Sequence, residues 1–315
     1  MHYVLDKQLS EQLARLQPQL ASFPDFIPGD PFGWRKRANA LYDLVNQQFP
    51  FQDSVVTSDF SIPYGNGHLM ARRYSPGIAS SRGAVLYVHG GGGVAGSVEL
   101  YDNIVRTYAC QSGVDFISLE YGLAPETPGL LQTEQVIAAL VWLKENSHEQ
   151  AIDPDRIVLM GDSGGGGIVA SAALVARDRQ IPLAGLVMIY PMLDHRVMPV
   201  APELTPFLSV TAEEVKTAWA ARLGANVADA PLSYISPATA TNFSGLAPLY
   251  IDVGELDLFC QENMVWAHSA LQAGAQVEFH LFPGVNHGFE LLAPASRIAL
   301  QAFELRSNAI RRMVS

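Results

Sequence analysis

The chain has 315 residues, of which 49% are hydrophobic and 16% charged, a composition typical of a globular protein that needs no disulfide staples. Its 20 basic and 31 acidic residues give a net charge of −11, which disfavours nucleic acid and anionic membrane surfaces as partners. The two cysteines, Cys110 and Cys260, lie far apart, which argues against a disulfide framework or a zinc site.

The beginning of the chain carries no recognisable targeting pattern. Residues 1–7 lack a basic stretch followed by an apolar one, so no secretory signal is predicted and the cytoplasm is the expected location. The longest apolar run, residues 167–176, is far shorter than the roughly 20 residues that cross a bilayer. We therefore expect a soluble protein.

Apolar runs rich in β-formers alternate with helical patterns. The predicted strands are residues 55–62, 69–74, 84–88, 114–120, 157–160, 186–190, 249–253 and 277–282, and the predicted helices between and after the later strands are 102–110, 133–146, 163–177, 261–273 and 295–312. Several strands are almost wholly apolar, which is typical of a mostly parallel sheet covered on both faces. The turn residues 63–67 predict an antiparallel hairpin at the start. The pattern therefore predicts an α/β fold with a mixed sheet of about eight strands.

Two segments interrupt this alternation. Residues 1–51 predict helices over 8–16 and 34–47, with prolines 24, 28 and 31 breaking the pattern between them. In residues 191–247, Thr211 and Glu214 have capping-box spacing and open a helix with an apolar stripe. We therefore predict a helical cap formed by residues 1–51 and 191–247, on a core formed by residues 52–190 and 248–315.

The strongest motif follows the strand at 157–160. That strand runs into Gly-Asp-Ser-Gly-Gly, with the serine at Ser163, and then into a helix, which is the context of a nucleophile elbow. A glycine-rich phosphate-binding turn is the alternative, although no lysine follows the glycines as in a P-loop. The pentad also resembles that of trypsin-like proteases, but their serine comes last in a cysteine-rich all-β chain.

A second glycine loop, His-Gly-Gly-Gly-Gly at residues 89–93, follows the strand at 84–88. The tetrahedral intermediate of acyl transfer carries a negative oxygen that needs fixed N–H donors. We predict that the amides of Gly91, Gly92 and Gly164 supply them, while His89 orients the loop rather than moving protons. A plain flexible loop is the alternative interpretation.

A serine nucleophile needs a base, and the base needs an orienting acid. His287 lies in a loop after the last predicted strand, where α/β folds present functional side chains. Asp257 comes just past the end of the preceding strand, and Glu255 and Asp252 are weaker candidates for the acid. The order Ser163, Asp257, His287 is the order of α/β-hydrolases.

Together these motifs resemble those of the hormone-sensitive-lipase-like carboxylesterases, bacterial family IV of the α/β-hydrolase superfamily. Residues 121–126, Tyr-Gly-Leu-Ala-Pro-Glu, are similar to a block of that family in which arginine stands at the position of Gly122. Without this arginine, the chain lacks a cation that could pair with Glu126 or Asp162. Glu126 is expected to support the site. Gly164 replaces the usual alanine, and Gly167 replaces a common asparagine. We expect these departures to affect local rigidity more than activity.

The resemblance implies a serine esterase that hydrolyses short- to medium-chain acyl esters, small molecules, without metal or cofactor. A homodimer is compatible with it, because dimers are frequent among such esterases. Aromatic residues of the predicted cap are available to line an acyl pocket, and packing within the cap or core is the alternative role for each: Phe23, Phe26, Phe32, Trp34, Phe207 and Trp219. A non-catalytic binding protein on the same fold, or a lactone or amide hydrolase, stays open as an alternative.

Overall fold

The computed structural model of the chain describes residues 3–77, 82–224 and 230–315. Within these ranges, an eight-stranded sheet has the order β1-β2-β4-β3-β5-β6-β7-β8. The strands are β1 (Val55–Tyr64), β2 (Gly67–Pro76), β3 (Ala84–Val88), β4 (Asp115–Glu120), β5 (Ile157–Asp162), β6 (Gly185–Ile189), β7 (Leu249–Gly254) and β8 (Val277–Phe282). β1 pairs antiparallel with β2 and β2 with β4, and the other pairings are parallel. The predicted mixed sheet with an opening hairpin is confirmed.

Helices cover both faces of the sheet. They are α1 (Lys7–Leu20), α2 (Pro31–Asn46), α3 (Asp102–Ser112), α4 (Gly129–Glu145), α5 (Ser163–Asp178), α6 (Ala212–Leu223), α7 (Cys260–Gln272), α8 (Phe289–Leu292) and α9 (Arg297–Met313). Side chains of β3 alternate between the two resulting cores: Val85 and Tyr87 pack on the side of α3 and α9, and Leu86 packs on the side of α4 and α5. This burial on both faces explains why the strands are so apolar.

The helices of residues 1–51 differ from the prediction in extent. Pro31, expected to interrupt the pattern, is the first residue of α2, and the Asp30 side chain accepts hydrogen bonds from the amides of Phe32 and Gly33. Proline is tolerated there because the first helical N–H has no intrahelical partner. α1 continues four residues beyond the expected end at Leu16 and contains Pro18.

The two segments predicted as a cap contact each other. The amide of Gly29 donates to Thr217 Oγ1 of α6 at 3.0 Å, and Trp34 of α2 shares an apolar cluster with Ala218 and Trp219 of α6. The limits proposed for the cap and the core stay a prediction. Among the described helices, none is long and apolar enough to cross a membrane.

Candidate active site

Ser163 stands at the junction of β5 and α5. Its φ of +53° lies in the left-handed region, which is strained for a residue with a side chain. The turn is tight because a β carbon on Gly165 would lie 2.2 Å from the carbonyl oxygen of Val88. The junction therefore holds the Ser163 hydroxyl at the carboxyl edge of the sheet, in the strand-turn-helix context predicted from the sequence.

His287 lies in the loop after β8 and reaches Ser163 across the sheet edge. The Ser163 hydroxyl and His287 Nε2 are 2.8 Å apart, and His287 Nδ1 and Asp257 Oδ2 are also 2.8 Å apart. A carboxylate can only accept, so Nδ1 carries the proton and Nε2 accepts from the hydroxyl. The structure thus brings together the three residues that the sequence singled out.

The other carboxylates considered for the acid have different partners. Asp252 accepts two hydrogen bonds from Arg306, at 2.6 and 2.9 Å, and one from the Tyr250 hydroxyl. Glu255 accepts from the amide of Gly284 at 3.0 Å. Of the three candidates, Asp257 is the one whose carboxylate bonds to His287.

The surroundings of His287 set its basicity. Burial by itself lowers its pKa, but the charge and hydrogen bond of Asp257, together with the charges of Glu290 and Asp162, raise the net pKa above the ordinary 6.5. The rings of Tyr190 and Phe259 approach the imidazole edge-on, with centroids 4.5 and 5.0 Å away. The Ser209 hydroxyl donates to the His287 carbonyl at 2.6 Å. The imidazole is therefore held from several sides.

The glycine loop faces the same cavity as Ser163 and His287. Gly91 and Gly92 line this cavity and have φ values of +104° and +62°, a conformation that other residues rarely adopt. Gly164 packs directly against the loop, because a β carbon there would lie 2.4 Å from Cα of Gly92. The three predicted amide donors thus come from two backbone segments in contact.

His89 is fully buried behind the loop. Its Nδ1 donates to the Gly90 carbonyl at 2.8 Å, and its ring stacks on Tyr121 with centroids 4.4 Å apart. Burial lowers its pKa to about 4, so the imidazole is neutral near pH 7. These contacts fit an orienting role and give His89 no contact with the Ser163 hydroxyl.

The two carboxylates left without the arginine at position 122 have found other partners. Glu126 forms a bidentate pair with Arg35 of α2, at 2.8 and 2.6 Å. Asp162 is buried and accepts from the hydroxyls of Tyr87 and Tyr101, and burial raises its pKa to about 6. Arg35 was not among the predicted site residues, because no local sequence pattern links a helix in residues 1–51 to residues 121–126.

The cavity at the site has a volume of about 520 Å³. Three of the six aromatic residues proposed for the pocket line it: Phe23, Trp34 and Phe207. The other three do not line it: Phe32 is 54% exposed, Trp219 is buried with its ring against the guanidinium of Arg222, and Phe26 packs against the apolar cluster that contains Trp219. The remaining lining is mainly apolar, with leucines from α1, α2 and α8.

The amino-acid sequence is similar to those of known hydrolases. A family model described as the alpha/beta hydrolase fold matches residues 85–291. The carboxylic ester hydrolase LipN of Mycobacterium tuberculosis is 30% identical over 246 residues, which cover 76% of this chain and 65% of LipN. The ethyl acetate hydrolase of Pseudomonas putida is 32% identical over 293 residues, covering 87% of this chain and 92% of that protein.

A solved structure agrees with the sequence comparisons. The crystal structure of an esterase from the bacterial hormone-sensitive lipase family superposes with a TM-score of 0.84 and 26% sequence identity. The match covers 98% of this chain and 99% of that one. The similarity therefore extends over the segments predicted as a cap as well as over the sheet.

Proposed function

The chain belongs to the hormone-sensitive-lipase-like carboxylesterases of the α/β-hydrolase superfamily, and from this premise we propose that it hydrolyses esters through a Ser163–His287–Asp257 triad. Family membership makes it a carboxylic ester hydrolase. The observation that carries the residue assignment is the continuous hydrogen-bond chain from Ser163 Oγ through His287 to Asp257, with both distances 2.8 Å.

The mechanism follows from these contacts. His287 Nε2 takes the hydroxyl proton of Ser163 as Ser163 Oγ attacks the ester carbonyl carbon. Asp257 holds the imidazole in the required tautomer and stabilises its charged form. The ester C–O bond then breaks, the imidazolium protonates the oxygen of the leaving alcohol, and the acyl group stays bonded to Ser163 Oγ. His287 next takes a proton from a water that attacks this acyl group, and the acid leaves as that proton passes to Ser163 Oγ.

The amides of Gly91, Gly92 and Gly164 stabilise the oxyanion in this proposal. Support comes from the position of Gly91 and Gly92 beside Ser163 in the cavity and from the contact of Gly164 with Gly92. Fixed donors aimed at a developing charge usually make the largest single contribution to such reactions. Amides need no side chain, so glycine at position 164 is compatible with this role.

The substrates are small esters with short to medium acyl chains. A cavity of about 520 Å³ with an apolar lining suits a small ligand better than a long extended chain. The name of the ethyl acetate hydrolase indicates an ester with a two-carbon acyl group for that relative. Residues 1–51 and 191–247 act as the cap that shapes this cavity, since α1, α2 and α6 all contribute to its lining.

Replacing Ser163 by alanine tests the proposal directly. We expect Ser163→Ala to lower turnover of p-nitrophenyl butyrate by several orders of magnitude and to abolish labelling by a fluorophosphonate probe, with an unchanged circular dichroism spectrum. Ser171→Ala is the matched control, because Ser171 is a buried serine about two turns further along the same helix and does not line the cavity. Near-normal turnover in Ser163→Ala would overturn the assignment.

The same reagents separate the alternatives. A non-catalytic binding protein would leave Ser163 unlabelled in the unmodified chain. Parallel rates on an ester, a lactone and an amide of equal acyl length distinguish an esterase from the other hydrolases. The cytoplasmic location and the homodimer stay predictions, which cell fractionation and light scattering of the purified chain test.

A further inference from the structure

Helix α2 lies along the glycine loop, outside the sheet that carries the triad. The ring of Trp34 packs so closely on the loop that a β carbon on Gly92 would lie 2.5 Å from its Cη2 atom. The next residue, Arg35, and Asn39 one helical turn later form hydrogen bonds with the backbone of Val94 and Gly96, just after the glycine loop. Three side chains on one face of α2 therefore contact residues 92–96.

Arg35 makes the densest set of contacts. Its Nε donates to the carbonyl of Val94 at 2.6 Å and its Nη2 to the carbonyl of Ala124 at 2.8 Å. The same guanidinium forms the bidentate pair with Glu126. Hydrogen bonds from Arg35 lower the pKa of Glu126 to about 2, so the carboxylate stays charged at any working pH. The planar, forked guanidinium allows this one side chain to bridge Val94 and residues 124–126.

Hydrogen bonds from the core and from Asn39 of α2 also restrain the backbone that follows Gly92. The Gly93 carbonyl accepts from the Gln132 side chain at 2.6 Å and from the Ala124 amide at 2.8 Å. Asn39 Oδ1 accepts from the Gly96 amide at 2.8 Å. The peptide groups that follow Gly92 are thus fixed from the core and from α2 together.

Such restraint matters because glycine-rich backbone is costly to order. Fixing the backbone of a residue costs conformational entropy, and glycine loses more of it than any other residue. An oxyanion donor works only when its N–H already points to the place where charge develops. The hydrogen bonds to Gly93, Val94 and Gly96 supply this restraint immediately after Gly91 and Gly92.

We propose that Arg35, assisted by Asn39, is a positioning residue that holds the amides of Gly91 and Gly92 in place for the oxyanion. The inference rests on the proposed role of those glycines. It assigns to Arg35, which lies 91 residues from Glu126 in the chain, the cation that residues 121–126 lack at Gly122. The cap would then contribute to rate as well as to substrate fit.

Replacing Arg35 by methionine keeps an unbranched apolar stem and removes the guanidinium with its hydrogen bonds. We expect Arg35→Met to lower kcat for p-nitrophenyl acetate by about 10- to 100-fold, a smaller loss than removal of an oxyanion donor itself would cause. KM should change less than about 2-fold. Arg35→Lys should recover part of the rate. The control is Arg179→Met, which breaks a bidentate pair with Glu134, a site not lining the cavity, and should leave kcat unchanged.

A transition-state analogue separates positioning from a purely structural role. A trifluoromethyl ketone forms a charged adduct with the serine, so its inhibition constant should rise by the same factor as kcat/KM falls across Arg35→Lys, Arg35→Met and Asn39→Ala. An unchanged inhibition constant, or a loss carried by KM alone, would overturn the inference. If Arg35→Met fails to fold, Asn39→Ala provides the milder test.

Failure of this inference is distinguishable from failure of the proposed function. Should Arg35→Met retain the kcat of the unmodified chain while Ser163→Ala is inactive, the triad stands and the positioning role falls. Active Ser163→Ala would instead overturn the esterase assignment on which the inference depends.

Discussion

Gly164 and Gly92 pack backbone against backbone. A β carbon on Gly164 would lie 2.4 Å from Cα and 2.5 Å from the nitrogen of Gly92, distances that real side chains do not reach. From the sequence, glycine in place of the usual alanine indicated a change in local rigidity. The structure adds that the glycine loop occupies the space of the missing methyl group.

We expect Gly164→Ala to displace the loop and lower kcat by about 10-fold or more, because the donors move away from the oxyanion. Steady-state kinetics on p-nitrophenyl acetate measure the effect. Gly67→Ala is the control, since its β carbon would come no closer than 4.0 Å to the Tyr64 carbonyl oxygen. Full activity in Gly164→Ala would show that the loop adapts without cost.

The pH dependence of the reaction should report the pKa of His287. The base must be neutral, so kcat/KM should fall with decreasing pH, with a midpoint above 6.5, because the pKa is raised. In Asp257→Asn the main raising cause is gone and burial remains, so the midpoint should move to lower pH. A pH profile with an activated ester checks both, and an unshifted midpoint in Asp257→Asn contradicts the attribution.

A buried ionic network lies behind His287. Arg306 is fully buried, with hydrogen bonds to Asp252 and, at 2.8 Å, to Glu290, and Glu290 accepts from the Tyr190 hydroxyl. Arg306→Met leaves two buried carboxylates uncompensated, and we expect the free energy of unfolding to fall by about 3–5 kcal/mol.

Urea denaturation followed by tryptophan fluorescence measures this change. Arg312→Met is the control on the same helix, because the side chain of Arg312 is 58% exposed and a surface pair contributes about 1 kcal/mol or less. Equal effects of the two substitutions would mean that the buried network contributes little.

The lining from α1 should affect chain-length preference without touching the triad. Leu13 lines the cavity, so Leu13→Trp reduces its volume. We expect kcat/KM for p-nitrophenyl decanoate to fall about 10-fold or more while that for the acetate changes little, because a poorly fitting methylene costs about 1–3 kcal/mol. Leu13→Met conserves volume and should preserve the preference. An identical chain-length series in Leu13→Trp would exclude α1 from acyl binding.

Much of the fold could be read from local patterns. β5 and α5 were predictable because a wholly apolar run, a glycine cluster and a helical pattern are contiguous in sequence. Ser163 and His287 each follow a strand, and the carboxyl ends of parallel strands share one edge of a sheet. The rule that brings them together is therefore topological, and the order of strands and helices along the chain is enough to apply it.

Contacts between distant segments were not predictable in the same way. The pairing of Arg35 with Glu126 depends on where α2 packs against the rest of the protein, and no periodicity in the sequence encodes that position. For Trp219 the sequence left open whether it lines the pocket or packs in the interior, and its place against Arg222 puts it in the packed interior. Amphipathic pattern fixes which face of α6 is apolar, and it does not reveal whether that face meets ligand or protein.

The hydrogen bond between Ser163 and His287 joins residues that are 124 positions apart. During synthesis on the ribosome the serine leaves the exit tunnel well before the imidazole, and in the mechanism proposed above it has no base during that interval. The nascent chain would therefore not hydrolyse cellular esters until β8 has joined the sheet. Hydrolytic capacity would therefore arise late in biogenesis, as a property of the finished polypeptide.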